Sequence, residues 1–246
     1  MNKWHQPDQR QAFSRGALDS LPFILAGAPF AILFGTLAPI HNIDSWFTMA
    51  LSALVFAGSS QYIALGLMQE QTPVMVIILV TLIVNARFML YSFTLSPHYR
   101  HVSTIKRGVL PFFLTDGTFI ATSTRLPDRI IENHRVAYYL GSATIIYFLW
   151  QCFTLTGIVV GQSISGIQDM GLEFAMVTTF ISMLVPMLKN PVAIFAALIS
   201  FILVWITRDW PYRSGFIFSV VVAAILATLL KTFLQYLGPT AKDPNL

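Results

Sequence analysis

Charged residues sit at wide intervals along this chain, and that spacing limits the possible folds more than any single motif. No Asp, Glu, Lys or Arg falls between Asp19 and Asp44, between Asp44 and Glu70, or between Glu70 and Arg87. The same holds from Arg135 to Asp169, Glu173 to Lys189, Lys189 to Arg208 and Arg213 to Lys231. A bilayer-spanning helix needs roughly 20 mostly apolar residues. The uncharged runs predict helices near 18–39, 46–68, 73–95, 138–161, 173–188, 191–206 and 213–237, with a shorter segment near 109–124. Only 11% of the 246 residues are charged, whereas soluble domains carry about 25%. The fold class is therefore all-α: a polytopic helical membrane protein with about 7–8 membrane segments, some broken or re-entrant. Residues 1–17 read as an N-terminal tail, 18–237 as one transmembrane domain in the lipid bilayer, and 238–246 as a C-terminal tail.

The net charge of +4 raises the question of nucleic acid. No basic tract is interleaved with exposed aromatics, and basic residues of membrane proteins collect in cytoplasmic loops, so no nucleic-acid partner is expected. Cys152 is the single cysteine, which excludes an internal disulfide or a cysteine-rich metal site. His98 and His101 lie three apart without a carboxylate beside them, a weak metal pattern. Residues 1–14 lack the features of a cleavable leader, so the first apolar segment is expected to be retained.

Several segments carry residues that an apolar helix has no structural need for. The first holds Pro22, Pro29 and Pro39, which remove backbone donors and kink a helix. The second places Gly58, Ser59, Ser60 and Gln61 at mid-helix. These residues suit either interhelical packing or substrate contact. Arg87 lies about 14 residues into the third, where it either snorkels to an interface or serves function. Asp116 lies in the short segment, and the simplest arrangement pairs it with Arg87, the two being read as the only deep charges. Gly157 and Gly161 form a small-xxx-small pair that lets two helices approach closely. Counting Lys and Arg with the N-terminus inside gives nine inside and five outside for eight spans. A re-entrant pair would return the basic 96–108 loop to the inside, and either arrangement puts both termini in the cytoplasm.

No H-E-x-x-H, G-x-S-x-G or G-x-x-x-x-G-K-S/T sequence is present, so neither an enzyme nor an ATP-driven pump is expected, and no cofactor. A channel would need a ring of like polar groups, which one chain supplies only as an oligomer.

Phe56-Ala57-Gly58-Ser59-Ser60-Gln61-Tyr62 resembles the (Y/F)-A-G-(A/S)-S-Q-(F/Y) motif of AzlC-type branched-chain amino-acid permeases. Val84-Asn85-Ala86-Arg87, followed by Leu90-Tyr91-Ser92, is similar to that family's (N/D)-x-R-H-x-L-Y segment. Leu114-Thr115-Asp116 with Phe119 resembles its L-T-D-E-x-F segment. The three occur in the family's order. The resemblance implies a secondary transporter of the bacterial inner membrane that exports leucine, isoleucine, valine and in some cases methionine, working with a small AzlD-type membrane subunit. Two positions depart from the pattern: Phe88 replaces the usual His and Gly117 the usual Glu.

A branched-chain amino acid is a zwitterion with an apolar tail. Its site needs donors for a carboxylate, acceptors for an ammonium and an apolar wall. Arg87 is the candidate for the carboxylate. Backbone N–H groups at a helix break around Gly58, Ser59 and Ser60 are a second. Gln61 and Asn85 complete the expected substrate-binding set, Asp116 is the candidate for the ammonium or a coupling proton, and Phe56, Tyr62 and Phe88 are candidate walls.

Overall fold

The computed structural model describes residues 8–100, 102–127, 132–163, 181, 185, 188, 190–211 and 214–237. These residues form nine α-helices and no strand. In order they are α1 (Gln9–Ile40), α2 (Ser45–Leu54), α3 (Gly58–Gln69), α4 (Val74–Leu95), α5 (Thr104–Val109), α6 (Asp116–Thr124), α7 (Arg135–Ser163), α8 (Pro191–Ile206) and α9 (Ser214–Leu237). The expected 173–188 helix, its tight connection through Lys189 and the 238–246 tail lie outside the described residues. Among the described residues, four helical stretches have the length and apolarity to cross a membrane: Gln9–Ile40, Val74–Tyr99, Glu132–Gly161 and Ser214–Tyr236.

The first helix begins at Gln9, well before the expected 18. Asp8 accepts from the Gln9 N–H at 2.6 Å, and the Gln11 side chain accepts from the Asp8 N–H at 3.2 Å. This reciprocal capping starts the helix in polar sequence. Its 32 residues reach about 48 Å at 1.5 Å per residue, longer than the roughly 30 Å hydrocarbon layer. Asp19 lies within α1 rather than at its start.

The chain divides into two compact units. The larger contains residues 1–71 and 81–172 and is built on α1 and α7. Along these helices the paired residue numbers rise together, so the two run parallel: Ser20 donates to Ser142 at 2.6 Å, and Thr36 donates to the Gly157 carbonyl at 3.0 Å. Glycines permit this approach. A methyl added at Gly16 or Gly35 would strike the backbone carbonyl of Tyr138 or Thr154, and one added at Gly141 or Gly157 that of Phe13 or Ile32. Such close backbone contact replaces the hydrophobic drive that lipid cannot supply.

The expected 46–68 helix is broken. α2 ends at Leu54, and α3 starts at Gly58. Phe56 lies between them at φ 44°, a conformation that a bulky residue adopts only when its surroundings impose it. Its ring is buried against Ile24 and Ile146 and meets Tyr147 edge-on at 4.8 Å. A helix end leaves its last carbonyls without partners, which is costly in hydrocarbon. Here α7 supplies the donors: Tyr147 donates to the Ala53 carbonyl at 3.1 Å, and Gln151 to that of Ser52 at 3.2 Å. The expected 109–124 segment is likewise interrupted, by a 3-10 turn at Leu110–Phe113 and an extended Leu114. Tyr139 donates to the Leu110 carbonyl there at 2.7 Å. α6, with nine residues, is too short to cross alone.

The second unit holds residues 72–80 and 173–246. Asn190 caps α8 by accepting from the Ala193 N–H at 2.7 Å, with Pro191 in the first turn. α8 and α9 meet where Gly215 lies against Thr207 and the Trp210 and Phe218 rings approach to 5.3 Å.

Candidate functional site

The helix break presents α3 by its N-terminus. The first N–H groups of a helix have no intrahelical acceptor. Ala57, at the cap position, provides no side-chain hydrogen bond to them. The α2 side of the break is thus satisfied by α7, while the α3 side keeps uncapped donors and a partial positive charge.

α4 and α6 bring the ionic groups to this end. Arg87 Nη2 donates to Ser59 Oγ at 2.7 Å, and Nη1 pairs with Asp116 Oδ2 at 3.1 Å. Both charged side chains are about 30% exposed, so the pair is sheltered but reachable. Arg87 Nε is buried and has no acceptor. Asp116 stands in the first turn of α6, where a carboxylate suits the helix dipole, and Tyr91 donates to its Oδ1 at 2.8 Å. Thr115 caps α6 through the Thr118 N–H. Ser60 donates to Asn85 Oδ1, tying α3 to α4 one residue further on.

Of the expected residues, the structure brings Ser59, Arg87 and Asp116 into one network, with Ser60 and Asn85 as a neighbouring link. Gly58 and Gln61 are not among the hydrogen-bond partners of the ion pair. Gly58 faces Phe30 and Trp150, whose rings lie 2.7 Å from where its Cβ would be. Gln61 is fully buried, and both of its amide atoms lack a partner. An unmet buried amide costs about 1–3 kcal/mol, so Gln61 needs a polar partner there, which a buried water also supplies. The expected wall is partly corrected. Phe56 is core, and Tyr62 is buried and donates to the Phe30 carbonyl at 2.7 Å. The aromatic surface at the ion pair consists of Phe88, 5.0 Å below the Arg87 guanidinium, and Tyr91 stacked on Phe119 at 4.2 Å.

Sequence reasoning missed Tyr91 as a ligand of Asp116, although the tyrosine lies one helical turn beyond Arg87. It also missed a second ion cluster: Asp19 Oδ2 accepts from Arg125 Nε and Nη2 at 3.0 Å and from the Tyr138 hydroxyl at 2.9 Å. In the sequence Asp19 marks only the edge of an uncharged run. α6 is consequently held at both ends, by Asp116 to α4 and by Arg125 to α1. Tyr91→Phe keeps the ring stack and removes the bond to Asp116. A hydrogen bond to a charged group contributes about 1.5–3 kcal/mol. At this partly exposed site the low end applies, and the concentration needed for half-maximal transport is expected to rise about tenfold.

A spanning helical scaffold interrupted at two polar half-helix starts, with an ion pair between them, defines a membrane protein built around an internal polar site. The AzlC protein family profile matches residues 22–164, and the chain belongs to the AzlC family. Membrane proteins of this family are transport-related. An uncharacterized membrane protein of Archaeoglobus fulgidus is 27% identical over 192 residues, covering 76% of this chain and 80% of its own. One from Helicobacter pylori strain J99 is 24% identical and covers 74% and 78%. Inner membrane protein YgaZ of Escherichia coli K12 is 24% identical and covers 62% of each. No solved structure matches the chain.

Proposed function

We propose that this chain is the large subunit of a gradient-driven exporter of leucine, isoleucine, valine and methionine in a bacterial inner membrane, with both termini cytoplasmic and a small AzlD-type subunit as partner. The observation that carries the reading is the unfilled donor set at the break: a buried Arg87 Nε without an acceptor beside an uncapped α3 N-terminus. Both call for an anion. Asp116 gives the matching acceptor for an ammonium, and Phe88 and Tyr91 give an apolar wall. A free α-amino acid with an apolar side chain satisfies all three demands. Binding would exchange part of the Arg87–Asp116 contact for contacts to the two ends of the zwitterion. That exchange couples occupancy to the position of α6, since α6 carries Asp116.

The two departures favour a second reading in which the cargo is another small amphipathic solute. At position 117 a Cβ would lie 3.2 Å from the Ile146 and Phe23 side chains, so a glutamate there requires these neighbours to give by a few tenths of an ångström. At position 88 a ring covers the guanidinium where a titratable imidazole would stand.

Efflux from cells fed a valine- or isoleucine-containing dipeptide separates these readings. Export that rises with the chain and its small subunit, and collapses with an uncoupler, is the expected outcome. No export of leucine, isoleucine, valine or methionine, with the protein present in the membrane, selects the second reading.

A further inference from the structure

The 96–114 region sits at the end of the larger unit where α7 begins. Tyr99 donates to the carbonyl of Arg135, the first residue of α7, at 3.5 Å, and Tyr139 donates to the Leu110 carbonyl at 2.7 Å. α1 runs parallel to α7, so Arg10, near its start, belongs to the same end. No Asp or Glu falls between Glu70 and Asp116, whereas Arg100, Lys106 and Arg107 lie in this stretch and are exposed. On α5 the last two flank-to-flank with Ile105 and Val109, which are 82% and 54% exposed. Exposed aliphatic and cationic side chains on one short helix suit the boundary between hydrocarbon and lipid headgroups.

Beside this basic surface an open groove of about 240 Å³ runs between the end of α4, the 96–114 region and α7. Its walls are Leu95, Tyr99, Leu110, Leu114 and Tyr139. Such walls give nothing to a polar solute and suit a hydrocarbon chain. Arg107 borders the groove, and its Nε donates to the Val102 carbonyl at 2.8 Å, which anchors α5 there. We propose that this surface is a binding site for an anionic phospholipid of the leaflet on the side of the α1 and α7 starts. One acyl chain lies in the groove, and the phosphate is held by Arg100, Lys106 and Arg107. A groove alone would take any lipid. The three cations without a nearby carboxylate select the anionic one.

Titration of the purified full chain with dioleoyl phosphatidylglycerol and, separately, dioleoyl phosphatidylcholine, read by native mass spectrometry, tests the site. The wild type is expected to bind phosphatidylglycerol at least tenfold more tightly. Arg100→Gln/Lys106→Gln leaves the Arg107 bond to Val102 in place and removes two cations, each contributing about fivefold at a membrane surface. It is expected to bind phosphatidylglycerol at least tenfold more weakly, with phosphatidylcholine binding and melting temperature unchanged. Arg100→Lys/Arg107→Lys, which keeps the charge, is expected to retain the preference. Ser96→Trp narrows the groove from its exposed side and is expected to weaken phosphatidylglycerol several-fold without removing a cation. Equal binding of the two lipids by the wild type, or an unchanged preference in Arg100→Gln/Lys106→Gln, overturns the proposal. Competition by soluble glycerol 3-phosphate at concentrations matching the lipid also overturns it, since the groove then contributes nothing.

Discussion

Arg87→Ala is expected to lower transport at least roughly thirtyfold while the protein still reaches the membrane. Truncating one member of a hydrogen-bonded charge pair at a binding site costs about 2–5 kcal/mol, and about 1.4 kcal/mol is tenfold. The same substitution also leaves Asp116 without its cation, so loss of activity alone does not separate binding from bundle integrity. The double variant Arg87→Ala/Asp116→Ala separates them. If the 3.1 Å pair serves only to hold α4 to α6, removing both charges relieves the unpaired carboxylate and restores activity toward wild type. If the guanidinium receives a carboxylate, the double variant stays as inactive as Arg87→Ala while its thermal stability recovers. Initial efflux rates and detergent melting curves on the three proteins give the answer.

The second large effect lies away from the site. Gly35→Ala and Gly157→Ala are expected to abolish accumulation of folded protein. In each case the new methyl meets a backbone carbonyl of the opposite helix, Thr154 or Ile32, and no flexible side chain is there to yield. Ordinary overpacking costs about 1–3 kcal/mol. Here relief requires α1 and α7 to separate, which also breaks the bond from Thr36 to Gly157 and moves the donors of Tyr147 and Gln151 from the α2 break. Gly66→Ala is the control: nothing lies within 4 Å of its Cβ position, and a mid-helix alanine is favoured over glycine by about 0.5–1 kcal/mol. Equal detergent-stable yields of Gly35→Ala, Gly157→Ala and Gly66→Ala would show that the seam is not tight.

The long uncharged runs made the helical membrane class legible, because solvation in lipid acts on composition. Gly58-Ser59-Ser60-Gln61 and Arg87 were legible as unusual for the same reason. The Arg87–Asp116 contact followed from the cost of isolated charge in hydrocarbon. The location of the breaks was less legible. Residues 46–68 are continuously apolar enough for one helix, and the interruption depends on Tyr147 and Gln151, nearly a hundred residues away, accepting the role of donors. The start of α1 was hidden because hydropathy sees only the lipid-facing part of a helix, whereas Asp8 and Gln11 set where the backbone begins to coil. That error concealed Asp19 and its pairing with Arg125. Phe56 and Tyr62 looked like available aromatic walls, but local sequence does not say which face of a broken helix turns to the core.

The central claim is that the α3 start, Arg87 and Asp116 together hold an apolar α-amino acid by both of its charged ends. Exchange of radiolabelled leucine across proteoliposomes containing the chain and the proposed AzlD-type subunit tests it most directly, with valine, isovalerate and isobutylamine as competitors. Valine is expected to compete, while isovalerate, lacking the ammonium, and isobutylamine, lacking the carboxylate, compete at least tenfold more weakly. Exchange no faster than in protein-free vesicles, or equal competition by all three, would contradict the claim.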